Sequence, residues 1–365
     1  MPQNNLREIL TGEHAFYNDP NYLENTRTEF RAKKLLPSYE YNTESKTMRI
    51  AKQIFSIIFF PIGIYNLLHA IVGYAIVPAA VFCPFNRSNI NLENEEGWRY
   101  KRINIMVDGY NIDAMIVGKE STFNNGRWTV ACGGNGECYE SMLNSGYFYN
   151  DFKRVIERIE SNAILFNYPG VNDSSGFPNR QAMAKAHRAI LKLLEDEEHG
   201  IRARQIIGYG HSIGGGVQGD ALNNYELHTD SIRYVFVKSR TFSDLSTEVN
   251  ALLFRPLGFL VKLLGWNMET AASSKKLHVP EIIFQTIRNS SQDYEEIHDS
   301  SSIVQDDGVI LRDATLAKAL LDDNQCPKGN KIFIGTRDRH NYGIQDVTFL
   351  AEAIEDALSI EIPSN

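Results

Sequence analysis

Three patterns of apolar and polar positions follow one another along the chain. Residues 1–49 are polar and mixed in charge. Between Lys52 and Arg87 there is no Asp, Glu, Lys or Arg, and Ile54 to Phe82 is an almost continuous apolar run of 29 residues broken by Pro61 and Pro78. From Trp98 onward period-two alternation sets in. Arg102 to Val107 and Asn111 to Val117, joined across Asp108-Gly109, predict a β-hairpin. Short continuous apolar runs follow at Trp128 to Cys132, Ala163 to Phe166, Gln205 to Gly208, Tyr234 to Val237, Glu281 to Gln285 and Lys331 to Ile334. Helix-like stretches lie among them: Phe148 to Ile159, Asn179 to Glu195, Ile213 to Leu222, Arg312 to Leu321 and Gln345 to Leu358. Apolar strands alternating with helices predict an α/β fold, a mostly parallel sheet covered on both faces. One connection, Thr241 to Leu277, is too long for a simple loop and contains the apolar amphipathic piece Ala251 to Trp266. It predicts a helical insertion at 241–277, either a cap over the site or a helix packed on the sheet.

The apolar run sets the domain expectation: an N-terminal segment over 1–87 and a catalytic domain over 88–365. A helix needs about 20 apolar residues to cross a bilayer, and the run is long enough, but only 16 residues separate Pro61 from Pro78. A kinked span, a re-entrant hairpin, an in-plane anchor and a soluble lid helix all fit. Lys46, Arg49 and Lys52 precede the run while Glu93, Glu95 and Glu96 follow it, so a span would keep its N-terminal side in the cytosol. The opening Met1-Pro2-Gln3-Asn4-Asn5 lacks the basic and then apolar start of a secretory signal.

The chemistry centres on Gly208-Tyr209-Gly210-His211-Ser212-Ile213-Gly214-Gly215-Gly216, which follows an apolar strand and opens a helix. Gly-x-Ser-x-Gly in that context predicts a nucleophile elbow, because a strand turning at once into a helix leaves no room for side chains beside the serine. No Gly-Lys-Ser/Thr follows, which disfavours a phosphate-binding loop. A serine hydroxyl needs a base and an acid that orients the base. His340, in the loop after the last predicted strand, is the candidate base; His211 adjoins the serine, but neighbouring side chains at a sharp elbow point apart. The acid follows Glu281 to Gln285, where Asp293, Glu295, Glu296, Asp299, Asp306 and Asp307 compete. Asp307, just before Val309-Ile310-Leu311 and a helix, is preferred, with Asp306 and then Asp293 as alternatives. Two backbone N–H groups must face the oxyanion of acyl transfer. Ile213 supplies one, and Asn135 in the turn Gly133-Gly134-Asn135-Gly136-Glu137 supplies the other.

Length and composition suit one large globular α/β domain with an accessory segment. A net charge of −8 argues against a nucleic-acid partner, which would need a basic face. Cys83, Cys132, Cys138 and Cys326 show no metal or CxxC spacing and read as free thiols.

In these motifs and their order, residues from about 98 to 360 resemble the α/β-hydrolase superfamily. Cys132-Gly133-Gly134-Asn135-Gly136-Glu137 looks like its oxyanion loop, with Gly133 where a His often stands. Asn167-Tyr168-Pro169-Gly170-Val171-Asn172-Asp173-Ser174-Ser175-Gly176 looks like its Asp-Tyr-x-Gly-x-Gly segment, with Asn172 replacing a Gly. Together with Lys238-Ser239-Arg240-Thr241-Phe242-Ser243-Asp244-Leu245 and the Pro-broken apolar run, the chain resembles the CHLPS family of chlamydial hydrolase-like proteins and lipase-like effectors of intracellular bacteria. The resemblance together with the candidate triad predicts a serine hydrolase acting on acyl carboxylic or thio-esters, and the apolar run with its flanking charges adds the expectation of lipid or acylated-protein esters at a membrane surface facing the cytosol. The resemblance also implies secretion into a host cell without a cleaved signal. The chemistry asks for no metal or organic cofactor. The rival is a hydrolase-fold scaffold that acts through protein interaction and cleaves nothing.

Overall fold

A computed structural model describes residues 38–83, 97–143, 151–223, 225–253, 255–288 and 294–360, and every statement below concerns these. Ten strands form one sheet in the order β1-β2-β3-β5-β4-β6-β7-β8-β10-β9. They are β1 (Ser38–Tyr41), β2 (Trp98–Val107), β3 (Tyr110–Lys119), β4 (Arg127–Cys132), β5 (Asn162–Phe166), β6 (Gln205–His211), β7 (Arg233–Ser239), β8 (Glu281–Thr286), β9 (Tyr294–Glu296) and β10 (Lys331–Thr336). The predicted hairpin is β2–β3, longer at both ends than its alternation. From β5 across to β10 all neighbours run parallel, with the short β9 antiparallel at the edge.

Adjacent residues of the central strands bury on opposite faces, which is why these runs carry no polar alternation. Ile206 and Phe236 join Ile190, Leu193 and Val217 in one core; Ile207 and Val235 join Val155, Leu350 and Ile354 in the other. The first face is covered by α6 (Arg180–Glu195) and α7 (Ile213–Leu222), the second by α4 (Tyr139–Leu143), α5 (Asp151–Arg158) and α12 (Val347–Ser359).

Three features depart from the sequence reading. Ser38–Tyr41 lies on the N-terminal side of the boundary drawn at residue 87, yet pairs with β2 in the same sheet. Residues 285–307 contain the edge strand β9 rather than a bare loop. The helix expected over Arg312 to Leu321 is split, a 3₁₀ turn at Arg312–Ala314 preceding α11 (Leu316–Leu321), because the Thr315 side chain caps the second piece. The insertion predicted at 241–277 is helical as expected, built of α8 (Leu245–Leu252), α9 (Arg255–Leu263) and α10 (Thr270–Lys276). It rests on α7, where a Cβ at Gly216 would meet Met268 and Phe242.

The apolar run forms α1 (Lys46–Ile58), α2 (Phe60–Ile76) and the short α3 (Ala79–Phe82). Ser45 caps α1, and α2 leaves it at a bend of 103° with Pro61 in its first turn. No single described helix is long and apolar enough to cross a membrane. Nothing in α1 is buried, and Ile57, Ile58 and Phe60 are 80%, 76% and 72% exposed. The far end of α2 is docked: Gly73 abuts Pro178 and Trp266, the Trp266 indole donates to the His69 carbonyl at 2.8 Å, and Val77 is fully buried. The unit thus has a free bend and a seated C-terminal end.

Candidate active site

β6 runs straight into α7 through Ser212, whose backbone sits at φ 52°, ψ −121°, a strained left-handed conformation. Two contacts hold it there. The Ser212 N–H donates to the Ser239 carbonyl at 3.0 Å, and the Thr241 hydroxyl donates to the Ser212 carbonyl at 2.6 Å. The flanking glycines are required by space: a Cβ on Gly210 would stand 2.8 Å from the backbone of Gly214 and Gly215, and one on Gly214 would strike the Cys132 carbonyl. Ser212 heads the first turn of α7, where the helix dipole favours developing negative charge.

Asp307 lies at the carboxyl side of β8 and is buried. One carboxylate oxygen accepts from the N–H groups of Val309 (3.0 Å) and Ile310 (2.7 Å); the other lies 3.1 Å from His340 Nδ1 and 3.4 Å from Gln285 Nε2. Burial works to raise its pKa, but His340 and the two N–H groups outweigh burial and hold the carboxyl below its usual range. The competing acids lie elsewhere. Asp306 is exposed and accepts from the Gly308 N–H, Asp299 caps the 3₁₀ turn at Ser300–Ser302, and Glu295 and Glu296 sit on the edge strand β9. Asp293 lies outside the described residues.

His340 sits in the loop after β10, and that loop is pinned on both sides. The Asp338 carboxylate accepts from Tyr294 (2.9 Å), Thr336 (3.0 Å) and the Gln345 N–H (3.1 Å). The buried Arg240 guanidinium donates to the carbonyls of Arg339 (2.6 Å) and Tyr342 (2.7 Å), which flank His340. The segment 238–241 therefore braces the site at three levels. Ser239 and Thr241 hold the elbow, Arg240 holds the histidine loop, and Lys238 shares the buried Glu281 carboxylate with Lys331 at 2.6 and 3.0 Å, tying β7, β8 and β10. The sequence reading missed Arg240's role, although a charged residue closing an apolar strand was a signal.

His211 does not turn away from the site. Its ring centre lies 5.0 Å from that of His340. Burial, then the charge of Arg240 and the proximity of His340, push its pKa well below the usual imidazole range, so it is neutral. The Ser212 hydroxyl makes no hydrogen bond to His340 or to any other described residue. The structure therefore brings Asp307 and His340 into contact and Ser212 to the same sheet edge, without closing the last link.

The turn after β4 is held by the Tyr168 hydroxyl, which donates to the Gly133 carbonyl at 2.7 Å, and by the Glu137 carboxylate, which accepts from the Gly134 N–H. Asn135 is exposed at its tip, and its carbonyl accepts from the Ala79 N–H at 3.2 Å. Neither the Asn135 nor the Ile213 N–H donates to an acceptor among the described residues. Cys132 meets His187 at 2.9 Å, but burial raises the thiol and lowers the imidazole to about 3, so no thiolate pair forms. Near the acid, Glu248 of α8 is buried with both carboxyl oxygens lacking a hydrogen-bond partner. Burial, then the charges of Asp307 and Asp306, raise it to about 8.

The family described as Chlamydia CHLPS protein (DUF818) matches residues 23–359. Among solved structures, an alpha-beta hydrolase from Vibrio vulnificus is 12% identical, with a TM-score of 0.56 over 88% of this chain and 96% of that one. An esterase of Pyrococcus furiosus is 13% identical, with a TM-score of 0.49 over 76% and 92%. At such identities the likeness shows the fold alone. No curated protein matches in sequence.

Proposed function

The chain belongs to the Chlamydia CHLPS protein family, and from that membership and the geometry around Ser212 we propose that it is a serine hydrolase cleaving acyl carboxylic or thio-esters. The observation that carries the reading is the buried Asp307 carboxylate on His340 Nδ1, at the edge where the strained Ser212 stands. With Nδ1 bound to Asp307, Nε2 is the nitrogen left to take a proton. His340 Nε2 removes the Ser212 proton as the hydroxyl oxygen attacks the acyl carbon, and returns it to the leaving alcohol or thiol. A water then repeats the sequence on the acyl-serine. The contact between Oγ and Nε2 forms in the substrate complex, where catalytic hydrogen bonds tighten. The N–H groups of Ile213 and Asn135 receive the oxyanion.

The substrate is membrane-resident in this reading, a lipid or an acylated protein, with the enzyme on a cytosol-facing surface. The support is the bend between α1 and α2, where the consecutive Ile57, Ile58, Phe59 and Phe60 are exposed together, an apolar patch of the kind that marks interaction surfaces. Lys46 on the adjoining helix suits anionic headgroups, whereas Lys52 is paired with Glu44 and Arg49 with Asp108.

A fluorophosphonate probe tests the hydrolase directly, since only an activated serine reacts. Labelling that maps to Ser212 and disappears in Ser212→Ala supports the reading. Absence of labelling in the folded protein leaves the non-catalytic scaffold in its place.

A further inference from the structure

Two of the four cysteine thiols meet. Cys83 follows α3 at the end of the apolar segment and is half-buried, while Cys138 directly follows the turn 133–137 and is buried. Although 55 positions apart in sequence, their Sγ atoms stand 2.8 Å from each other. The surrounding contacts fix this meeting. Val77 and Ala79 are buried, the Ala79 N–H donates to the Asn135 carbonyl at 3.2 Å, and the Cys138 N–H donates to the Ser141 hydroxyl at 3.1 Å. Cys132 lies against His187 instead of a thiol, which singles out the 83–138 pair.

We propose that Cys83 and Cys138 are a reversible redox modification site whose disulfide fastens the N-terminal helices to the turn carrying Asn135. The oxidant is a small disulfide of the glutathione class. Cys83, the more exposed thiol, attacks as thiolate; one small thiol leaves with a proton and Cys83 carries a mixed disulfide. Cys138, deprotonated by solvent, then attacks the Cys83 sulfur and expels the second small thiol, which takes up a proton. The protein loses two electrons and two protons, and the small disulfide gains both.

The Cys83 thiol and then burial push the Cys138 thiol up, so Cys138 does not meet the oxidant first; once Cys83 carries the mixed disulfide the Cys83 thiol no longer raises it, and the 2.8 Å approach of the two sulfurs places it for the second attack. When reduced, the helices are held at this end without a covalent link, by the Ala79 contact, the hydrogen bonds of His69 to Trp266 and Leu264, and apolar packing. When oxidised, they cannot leave the turn, and the loop from 83 to 138 is closed in the unfolded chain as well, which raises stability. The effect on turnover rests on the reading of Asn135 as an oxyanion donor; the bond itself does not.

The test treats the full chain with excess oxidised glutathione, alkylates it, and measures intact mass, peptide linkage and melting temperature. Two alkylated cysteines instead of four, a Cys83–Cys138 peptide, and a melting temperature several degrees higher, all reversed by reduced glutathione, are the expected result. Cys83→Ser should abolish the linkage and the shift, and Cys326→Ser should keep both. Four alkylated thiols, or glutathione retained on Cys83 without ring closure, would overturn the proposal, and the native chain decides this even if a variant misfolds. Turnover of a short water-soluble ester, followed in both forms, separates the readings. No turnover in either form counts against the hydrolase, whereas mass and melting temperature judge the disulfide on their own.

Discussion

Asp307 engages His340 through both side chain and backbone. Its carboxylate lies 3.1 Å from Nδ1, and its carbonyl accepts the His340 N–H at 3.0 Å. The second contact fixes where the histidine loop lies, and the first fixes the imidazole tautomer. A substitution that keeps the backbone bond but removes the carboxylate charge should therefore leave the loop in place and favour the wrong tautomer. Asp307→Asn is expected to lower kcat by roughly 10⁴-fold with little change in KM, as for the acid of such triads. Asp306→Asn should stay near the native rate, since its carboxylate only receives the Gly308 N–H. Ser212→Ala should lose at least as much as Asp307→Asn with an unchanged circular dichroism spectrum. Parallel ester assays on the purified variants check the ranking, and a faster Asp307→Asn than Asp306→Asn would move the acid.

Arg240 should matter to rate without touching substrate. A single guanidinium nitrogen, Nη1, reaches two carbonyls that bracket His340; the rigid planar group fixes the directions of its two hydrogens, which a freely rotating lysine ammonium does not. Arg240→Lys is expected to keep the fold and displace the loop slightly, lowering kcat by about 10²-fold, the scale at which a misplacement near 1 Å acts. KM should change less, because no substrate contact is lost. Steady-state kinetics with a melting curve checks this; a proportional loss of stability and rate would make the role structural.

Glu248 should make stability fall as pH rises. Its carboxyl titrates near 8 in the folded protein and near the ordinary glutamate value, about 4.3, in the unfolded chain. Between those values the native state holds a proton that the unfolded state has released, so the stabilising contribution is complete below the lower value and gone above the upper one. Linkage allows up to roughly 1.4 kcal/mol for each pH unit in the interval, reduced by relaxation and solvent access. Glu248→Gln keeps the shape and removes the titration. Denaturant melts at pH 5 and pH 8 should show the variant gaining on the native chain as pH rises, and parallel curves would locate the proton elsewhere.

How much could be read from the sequence differs with the range of the interaction. The elbow and the parallel strands were visible because each is local: Gly210 and Gly214 answer to backbone a few residues away, and strands buried on both faces leave unbroken apolar runs. Strand β1 was invisible because Ser38–Tyr41 is short and polar at alternate positions, and its assignment depends on pairing with β2 more than sixty residues later. Arg240 and His211 were misjudged for the same reason, since each acts on a loop nearly a hundred residues or more away. The sequence prefers Asp307 to Asp306 by its place before a helix, and the two neighbours differ in the fold by depth and contact: Asp307 is buried against His340, whereas Asp306 is exposed.

The apolar segment now allows a sharper membrane test than removing it. A chain beginning at residue 88 would lose β1 from the sheet and Val77 and Ala79 from the core, and it would uncover the turn that bears Asn135. Such a chain should aggregate or melt early, whatever the role of the bend, so its failure would say nothing about membranes. Substitution at the bend itself is selective, because Ile57, Ile58 and Phe60 are almost wholly exposed and support no packing of the hydrolase domain. Replacing each with Asp should leave the melting temperature and the turnover of a short soluble ester unchanged. Burying an aliphatic or aromatic side chain in an apolar phase contributes about 1.5–3 kcal/mol, so each change should weaken binding to anionic liposomes by roughly 10-fold or more. Hydrolysis of a bilayer-held ester should fall in parallel. Flotation with vesicles containing an anionic lipid measures the first effect, and a vesicle-embedded ester the second. Full-length protein that stays monomeric without detergent and ignores both vesicle types would refute membrane docking while leaving the assignments of Ser212, His340 and Asp307 untouched.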